Sequence, residues 1–152
     1  MPDVASILPA THVDVAELVS ICAEHAAFER LPQVTGAEAL ADALQGTPPR
    51  LYAWLARVDA TVVGYASATV DFSTLGGASY LHMDCLYVRA PWRSCAIGHQ
   101  LWDRVLAHAN TLRCAAVQWQ TPAWNEGAAR FYRRLGASEY AKLRYVLPLC
   151  GA

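Results

Sequence analysis

The stretch from Tyr80 to Asn110 constrains the fold of this chain more than any other part of its sequence. Residues 81–88 are mostly apolar, which is typical of a central strand covered on both faces. From about Ala96 onwards, apolar side chains recur at helical spacing, so one stripe of a helix faces a core. Small residues fill most of the connecting segment, 93–98. The stretch therefore predicts a strand, a tight turn and a long helix.

The turn between this strand and this helix has the chemistry of an anion site. The first turn of a helix leaves backbone N–H groups unpaired and carries a partial positive charge, and both favour a phosphate or pyrophosphate. Arg93 adds a cation just before the helix begins. Turns of small residues also occur as ordinary connections between a strand and a helix. The stretch alone therefore leaves an anion site and a plain connection as two interpretations.

A second stretch, residues 121–136, reads Thr-Pro-Ala-Trp-Asn-Glu-Gly-Ala-Ala-Arg-Phe-Tyr-Arg-Arg-Leu-Gly. Together the two stretches resemble the GNAT superfamily of acyl-CoA N-acyltransferases. In that superfamily a strand leads to Arg/Gln-x-x-Gly-x-Gly/Ala and a helix, and a later loop with Asn leads to a helix bearing Phe-Tyr and ending in Leu-Gly. The matching residues here are Arg93, Ala96 and Gly98 for the first motif, and Asn125, Phe131, Tyr132, Leu135 and Gly136 for the second.

The segments Trp-Asn-Glu, Phe-Tyr and Gly-Ala-Ser look most like the diamine (spermidine/spermine) N-acetyltransferase branch of the superfamily. The segment Ala27–Pro32, which reads Ala-Phe-Glu-Arg-Leu-Pro, is similar to that branch as well. This resemblance covers nearly the whole chain. It implies a homodimer, a sheet splayed near its middle, and a cofactor whose pantetheine arm inserts between the central and fifth strands.

Hydrophobic and turn patterns predict one α/β (α+β) domain over residues 1–152. The order of elements favours a mixed, largely antiparallel sheet with helices on both faces, as in the GNAT fold that the resemblance implies. The predicted strands are 4–8, 51–58, 62–73, 81–88, 114–120 and 140–147, and the predicted helices are 11–28, 35–44, 96–110 and 125–135. Two capping boxes, Thr11 with Asp14 and Thr35 with Glu38, begin the first two helices. The buried stripe of the first helix is predicted to be Val15, Leu18, Val19, Cys22 and Ala26.

Charge is distributed unevenly along the chain. Residues 1–76 hold nine acidic and three basic side chains, and residues 77–152 hold four acidic and nine basic ones. An anionic cofactor with a cationic substrate fits this asymmetry, although the two halves can also cancel in three dimensions. The chain has no run of basic residues interleaved with aromatic ones, and its pI is about 6.5, so no nucleic-acid partner is expected.

The sequence also predicts where in the cell the protein is located. No apolar run reaches the roughly 18 residues that span a bilayer, so no membrane partner is expected. The first ten residues lack a basic region followed by an apolar core, so we expect no signal peptide and a cytoplasmic protein. The five cysteines are widely spaced without a Cys-x-x-Cys pair, which predicts neither a disulfide framework nor a metal site. Cys95 lies in the turn, where a nucleophilic thiolate is the minor alternative.

Acyl transfer from a thioester to an amine requires the donor to be held, its carbonyl polarised, the amine deprotonated and the leaving thiolate protonated. Backbone N–H groups of the turn are the candidates for holding acetyl-CoA. By resemblance, N–H groups of the central strand polarise the carbonyl, and Asn125 either bonds the pantetheine or caps its helix. The predicted cofactor-binding residues are Leu86, Tyr87, Val88, Arg93, Ser94, Cys95, Ala96, Ile97, Gly98, His99, Asn125 and Tyr132.

Two residues are the catalytic candidates. Asp84 occupies the position where the diamine branch carries a glutamate, and it is the candidate base, directly or through water. His82 is the alternative base, because it lies on the same strand two residues away. Tyr132 is the candidate acid for the departing thiolate. Each residue also has a purely structural interpretation: Asp84 as a structural carboxylate, His82 as a structural histidine and Tyr132 as a core aromatic.

The sequence thus predicts an acetyl-CoA-dependent N-acetyltransferase that acts on a primary amine by direct attack. A small polyamine or an amino-acid-like amine is the expected acceptor, bound by Glu29, His82 and Asp84. Glu24 and Asp71 are further acidic residues that either attract such a cation or are simply solvated. Two alternatives remain: a protein or peptide N-acetyltransferase, and a catalytically degenerate CoA-binding module, because the motif carries Ala96 where a glycine is usual.

Overall fold

The computed structural model describes residues 4–32 and 36–151. Its chain divides into two compact units, Met1–Gln120 and Thr121–Ala152. The elements are β1 (Ser6–Pro9), a 3₁₀ turn (His12–Asp14), α1 (Val15–Phe28), α2 (Ala37–Leu44), β2 (Tyr52–Val58), β3 (Thr61–Ser73), β4 (Ala78–Val88), a 3₁₀ turn (Ala90–Trp92), α3 (Ile97–Thr111), β5 (Val117–Gln118) and α4 (Glu126–Arg134).

The first unit is built on a five-stranded sheet in the order β1-β2-β3-β4-β5. The first four strands pair antiparallel, and β5 joins β4 in parallel. Strand β2 shows how both faces are covered, because its side chains alternate. Leu55 packs in a core cluster with Leu18 of α1, whereas Trp54 lies against the His108 ring of α3. The predicted mixed sheet with helices on both faces is confirmed.

The first capping box forms as predicted, but it begins the 3₁₀ turn, and α1, which starts at Val15, buries a different stripe. The N–H of Thr11 donates to the Asp14 carboxylate at 2.8 Å, which forms the expected box. The buried residues of α1 are Val15, Leu18, Ile21 and His25, so the prediction was wrong for Val19, Cys22 and Ala26, which are only partly buried. A histidine enters this stripe because both of its ring nitrogens have partners there, and a paired polar group is far less costly to bury.

The second capping box falls partly outside the described residues, since it includes Thr35. Helix α2 begins at Ala37 with Gly36 as its N-cap.

Strands β3 and β4 form the longest pairing of the sheet, and it contains a bulge. Ser67 pairs with Cys85 and Ala68 pairs with Met83, so Asp84 is left without a partner on β3. A bulge bends its strand and re-aims the extra side chain. The side chain of Asp84 is accordingly 61% exposed in the middle of an otherwise covered strand.

The sheet opens between β4 and β5. Their pairing consists of Leu81 with Val117 and His82 with Gln118, and β5 is much shorter than the predicted strand 114–120. Beyond His82, no described residue pairs with β4 on this side. This is the splayed sheet that the resemblance implied, and it exposes one edge of the second half of β4.

The second unit contains α4 and an extended segment. Asn125 is the N-cap of α4, because its Oδ1 accepts a hydrogen bond from the N–H of Ala128 at 3.2 Å. Gly136 ends the helix as predicted, in the left-handed conformation at φ +84°.

The predicted last strand, 140–147, does not form. Residues 140–149 have no strand partner among the described residues. Tyr140, Leu143, Tyr145 and Leu147 are 80%, 81%, 86% and 84% exposed. The prediction was wrong because an apolar alternation specifies only a capacity to form a strand, and a strand requires a neighbour for its backbone groups.

Candidate active site

The turn before α3 has the geometry of an anion-binding nest. Ser94 and Ala96 both adopt the left-handed conformation, at φ +64° and +62°, and α3 begins at Ile97. Alternating left-handed residues turn successive N–H groups to one side of the chain. Within residues 4–32 and 36–151, no N–H of residues 94–99 donates a hydrogen bond. The turn therefore offers a row of free donors at the positive end of a helix of 15 residues.

Ala96 occupies a conformation that glycine adopts without cost. A left-handed residue with a Cβ is disfavoured by about 1–2 kcal/mol. The resemblance placed a glycine at this position, and the backbone of Ala96 keeps the conformation that such a glycine would supply. The substitution therefore preserves the shape of the turn at the expense of local strain.

Arg93 is turned toward the protein. Its Nε donates to the carbonyl of Val88 at 2.8 Å, and its guanidinium carbon lies 4.7 Å from the ring centre of Phe28 and 5.6 Å from that of Tyr87. These contacts join the end of β4, the end of α1 and the start of the turn. Arg93 thereby fixes the position of the nest, and a direct contact with phosphate remains a prediction.

The other predicted residues of the turn differ in what their side chains do. Ile97 is buried in the core, so its contribution to a ligand is confined to its backbone. Cys95 is exposed, and its Sγ lies 3.6 Å from the carbonyl oxygen of Arg93. His99 lies on the exposed surface of α3 beside Asp103, at 3.3 Å. Leu86, Tyr87 and Val88 lie on the half of β4 that has no pairing with β5.

The three predicted acceptor residues are brought together around His25. Glu29 Oε1 lies 3.2 Å from His25 Nε2. Asp84 lies close enough to raise the pKa of His25 by its charge, and His82 Nε2 is 3.7 Å from Asp84 Oδ1. Two carboxylates and two imidazoles, from α1 and from the bulge of β4, therefore share one neighbourhood. Such a cluster favours a cationic ligand.

A buried hydrogen-bond network lies behind these carboxylates. His25 Nδ1 is 2.7 Å from Tyr65 Oη, and the His25 ring stacks on Tyr87 at 5.0 Å between centres. Burial is the largest effect on the pKa of His25 and lowers it, while Glu29 and Asp84 oppose this shift. Burial likewise raises the pKa of Tyr65 above its ordinary value. Both side chains are thus held in their neutral forms.

Two thiols adjoin the same network. Burial raises the pKa of Cys22, and it raises the pKa of Cys85 to about 12, with Asp84 adding to the shift. Both thiols add to the upward shift in the pKa of Tyr65. These cysteines are protonated at neutral pH, so the negative charge of the cluster belongs to Glu29 and Asp84.

Sequence reasoning missed His25 and Tyr65. One signal for His25 was available, because it precedes Glu29 by four residues and therefore lies beside it on a helix. Tyr65 gave no such signal, since a tyrosine in an apolar strand is typical of a core.

Of the other acidic candidates, Glu24 is already engaged. Its carboxylate accepts from Arg89 at 2.6 and 2.8 Å. Asp71 lies 3.4 Å from Tyr80 Oη on the exposed end of the hairpin.

Asn125 and Tyr132 belong to the second unit. The Asn125 side chain caps α4, which is the structural role that the sequence left open. The Tyr132 ring packs edge-on against Phe131 at 5.5 Å and is partly buried. Their roles toward a cofactor remain predictions.

Two further observations concern metal sites and membrane spans. In the described ranges, no three His, Cys, Asp or Glu side chains come together as a metal site. No helix in those ranges is long and apolar enough to cross a membrane.

The nest, the open edge of β4 and the acidic cluster all lie in a part of the chain whose sequence matches a known family. The sequence model of the acetyltransferase (GNAT) family matches residues 15–137, which include all three features. The chain belongs to this family. It is accordingly an acetyl-CoA-dependent N-acetyltransferase.

Individual relatives are distant in sequence and close in fold. The thialysine N-epsilon-acetyltransferase of Caenorhabditis elegans is 26% identical over 128 residues, which cover 83% of this chain and 78% of the relative. An aminoglycoside acetyltransferase from an uncultured soil metagenomic sample, solved with trehalose, superposes with a TM-score of 0.82 at 17% identity, over 95% of this chain and 96% of that one. An aminoglycoside N-acetyltransferase solved with CoA gives 0.79 at 15% identity, over 99% and 98% of the two chains.

The residues of the turn fit the phosphate groups of acetyl-CoA. The free N–H groups of residues 94–99 and the two left-handed residues provide a concave row of donors. The Cβ of Ala96 is the one addition relative to the glycine of the family motif, and it leaves every backbone donor in place. The fit therefore rests on backbone groups.

Proposed function

We propose that this N-acetyltransferase acts on the primary amine of a small cationic molecule, a polyamine or an amino-acid-like amine. The observation that supports this most is the convergence on His25 of Glu29, at the end of α1, and Asp84, on the strand that leads into the nest. A carboxylate pair attracts an acceptor that bears more than one positive charge. The name of the Caenorhabditis elegans relative, which specifies the ε-amino group of thialysine, agrees with this acceptor class.

In the proposed mechanism, the amine attacks the thioester directly. The free backbone N–H groups of residues 94–99 hold the phosphates of acetyl-CoA. N–H groups along Leu86–Val88 polarise the thioester carbonyl from the open edge of β4. Acetyl-CoA supplies the activated acetyl group, and the protein supplies position and proton transfers.

Two side chains would move protons. Asp84 takes the proton of the attacking amine, directly or through water, because its carboxylate lies at the bulge and is largely exposed. His82, at 3.7 Å from Asp84, orients this carboxylate or replaces it as the base. Tyr132 donates a proton to the departing thiolate. Asn125 bonds the pantetheine in addition to capping α4.

The match of the family to residues 15–137 supports one catalytic domain made from both units, as the sequence predicted. All five cysteines are free thiols, which suits the reducing conditions of the cytoplasm that we propose as its location. We propose a homodimer as well, supported by the exposed apolar side chains of residues 140–149.

Release of free CoA, followed with a thiol reagent, tests the function. Purified protein with acetyl-CoA should release thiol much faster with diamines and lysine-like amino acids than with peptides. The test peptides carry a lysine with a free side-chain amine, and both of their termini are blocked. Faster turnover of the peptides would favour the protein-acetylating alternative. Calorimetric binding of acetyl-CoA without turnover of any amine would favour the degenerate module.

A further inference from the structure

The His25 imidazole has no role in the mechanism above, although it is the most deeply placed ionisable group of the acidic cluster. It is only 8% exposed, and both of its nitrogens have partners. A histidine that is merely tolerated in a core needs one or two neutral partners. This histidine instead joins a buried phenol to a carboxylate that reaches solvent, since the Glu29 side chain is 23% exposed.

One tautomer of His25 satisfies both of its hydrogen-bond partners, Tyr65 and Glu29. Burial keeps the proton on Tyr65, so the Tyr65 O–H donates to His25 Nδ1 at 2.7 Å. The other nitrogen then carries hydrogen, and Nε2–H donates to Glu29 Oε1 at 3.2 Å. The ring is also stacked on Tyr87 and set edge-on against Tyr65. These contacts fix the direction in which the imidazole holds the carboxylate.

The groups that face the imidazole determine when it becomes charged. They are Glu29 and Cys22 on its own helix, Tyr65 on β3, and Tyr87 and Asp84 on β4. The opposing influences on the pKa of His25 are burial, which lowers it, and the two carboxylates, which raise it. Burial is the larger, and the imidazole is neutral at neutral pH. The charge of Glu29 is then available to a ligand.

We propose that His25 is a positioning residue, which holds Glu29 toward the acceptor and sets the pH range in which Glu29 binds a second cationic group of that acceptor. This inference rests on the proposed function. As the pH falls through the His25 transition, Nε2–H becomes part of an imidazolium beside Glu29. The pair is then neutral overall, and the attraction for a second cation is lost.

The predicted consequence is a pH-dependent preference between two acceptors of equal length. Diaminobutane carries a second ammonium group, whereas butylamine ends in a methyl group. Both must lose a proton from the attacking nitrogen, so that requirement largely cancels in the ratio of their KM values. We expect the ratio of KM for butylamine to KM for diaminobutane to be about tenfold or more near neutral pH and to fall toward one in acid.

The experiment measures kcat and KM for both amines with saturating acetyl-CoA, from about pH 4.5 to about pH 8.5, a range that extends well below the ordinary histidine transition because burial lowers the pKa of His25. In E29Q, the ratio should be near one at every pH. In H25Q, the ratio should lose its fall in acid, because glutamine can still bond Glu29 and does not titrate. E38Q, on the exposed surface of α2, removes the same charge and should keep the wild-type ratios.

Four results would overturn the inference. An unchanged ratio in E29Q would show that Glu29 does not bind the second cation. A wild-type acid transition in H25Q would assign the transition to another group. E29Q changes a partly exposed side chain, so it tests the proposal even if H25Q does not fold. Turnover of neither amine would overturn the proposed function and this inference together, whereas equal KM values for both amines would overturn the inference alone.

Discussion

At the scale of single residues, Ala96 shows how a motif can lose its glycine and keep its geometry. The backbone of Ala96 is left-handed, at φ +62°. Family resemblance marked Ala96 as a departure whose methyl group would crowd a pyrophosphate. The structure adds a second consequence, which is strain in the free protein.

We predict that Ala96→Gly raises the free energy of unfolding by up to about 1 kcal/mol, because the strain of the left-handed residue is removed. The dissociation constant of acetyl-CoA should be the same or lower. Urea unfolding and calorimetric titration measure the two quantities. Ala39→Gly, in the exposed part of α2, is the control and should be destabilising, since it adds a glycine to a helix. Weaker binding in Ala96→Gly would contradict the idea that this methyl group crowds the phosphates.

A second residue-scale prediction concerns the proposed acid. Tyr132→Phe should lower kcat by at least about tenfold, the smallest effect expected of a lost proton donor, while the affinity for acetyl-CoA changes little. Tyr140→Phe removes a hydroxyl from an exposed tyrosine of the same unit and should have the activity of the wild type. Steady-state kinetics and calorimetry distinguish the two effects. An unchanged kcat in Tyr132→Phe would remove this residue from the mechanism.

At the scale of elements, the contact of β3, β4 and α3 sets the position of the nest. Gly64 permits this contact, because a Cβ there would lie 2.9 Å from the carbonyl oxygen of Tyr87 and 3.3 Å from Leu101 Cδ1. The end of β4 in turn binds Arg93 through the Val88 carbonyl. A methyl group at Gly64 would therefore push apart the strands that support the turn.

We predict that Gly64→Ala lowers the free energy of unfolding by roughly 1–3 kcal/mol, as overpacking usually does. It should also weaken acetyl-CoA binding, because Arg93 follows the displaced strand. Gly127→Ala is the matched control, since this glycine lies in α4 with space for a Cβ, and alanine favours a helix. Chemical unfolding compares the two. Equal stability of Gly64→Ala and the wild type would show that the strands can separate without cost.

At the scale of the whole molecule, the segment 140–149 is the largest exposed apolar feature of the described residues. Large apolar side chains recur at every second position, as on the covered face of a strand: Leu143, Tyr145, Leu147 and Leu149. Lys142, Arg144, Val146 and Pro148 stand at the other positions. The basic residues of this segment suit the acidic first half of a second copy. A strand of this length, paired across two copies, would cover the apolar side chains and satisfy its backbone groups.

We predict that the wild type sediments at twice the chain mass of 16.5 kDa. The double variant Leu143→Glu with Leu147→Glu should sediment at the single-chain mass, because two charges cannot be buried in an apolar interface. Leu75→Glu changes a still more exposed leucine in the turn between β3 and β4 and should remain dimeric. A wild type that is monomeric at tens of micromolar would contradict the dimer.

The sequence by itself determined what depends on neighbours along the chain. Periodicity and caps placed α1, α3, α4 and the β2–β3 hairpin, because helices and hairpins are stabilised by residues a few positions apart. The motif of Arg93, Ala96 and Gly98 located the nest for the same reason, since its donors belong to consecutive residues.

Only the tertiary structure decided what depends on residues far apart in the chain. The bulge at Asp84 requires the register between β3 and β4, and the role of His25 requires Tyr65, forty positions away. The opening beside β4 follows from the short pairing with β5. The apolar pattern of residues 114–120 could not show how few residues of that segment would pair. Segment 140–147 had the pattern of a strand and did not form one, because a strand depends on a partner that its own residues do not specify.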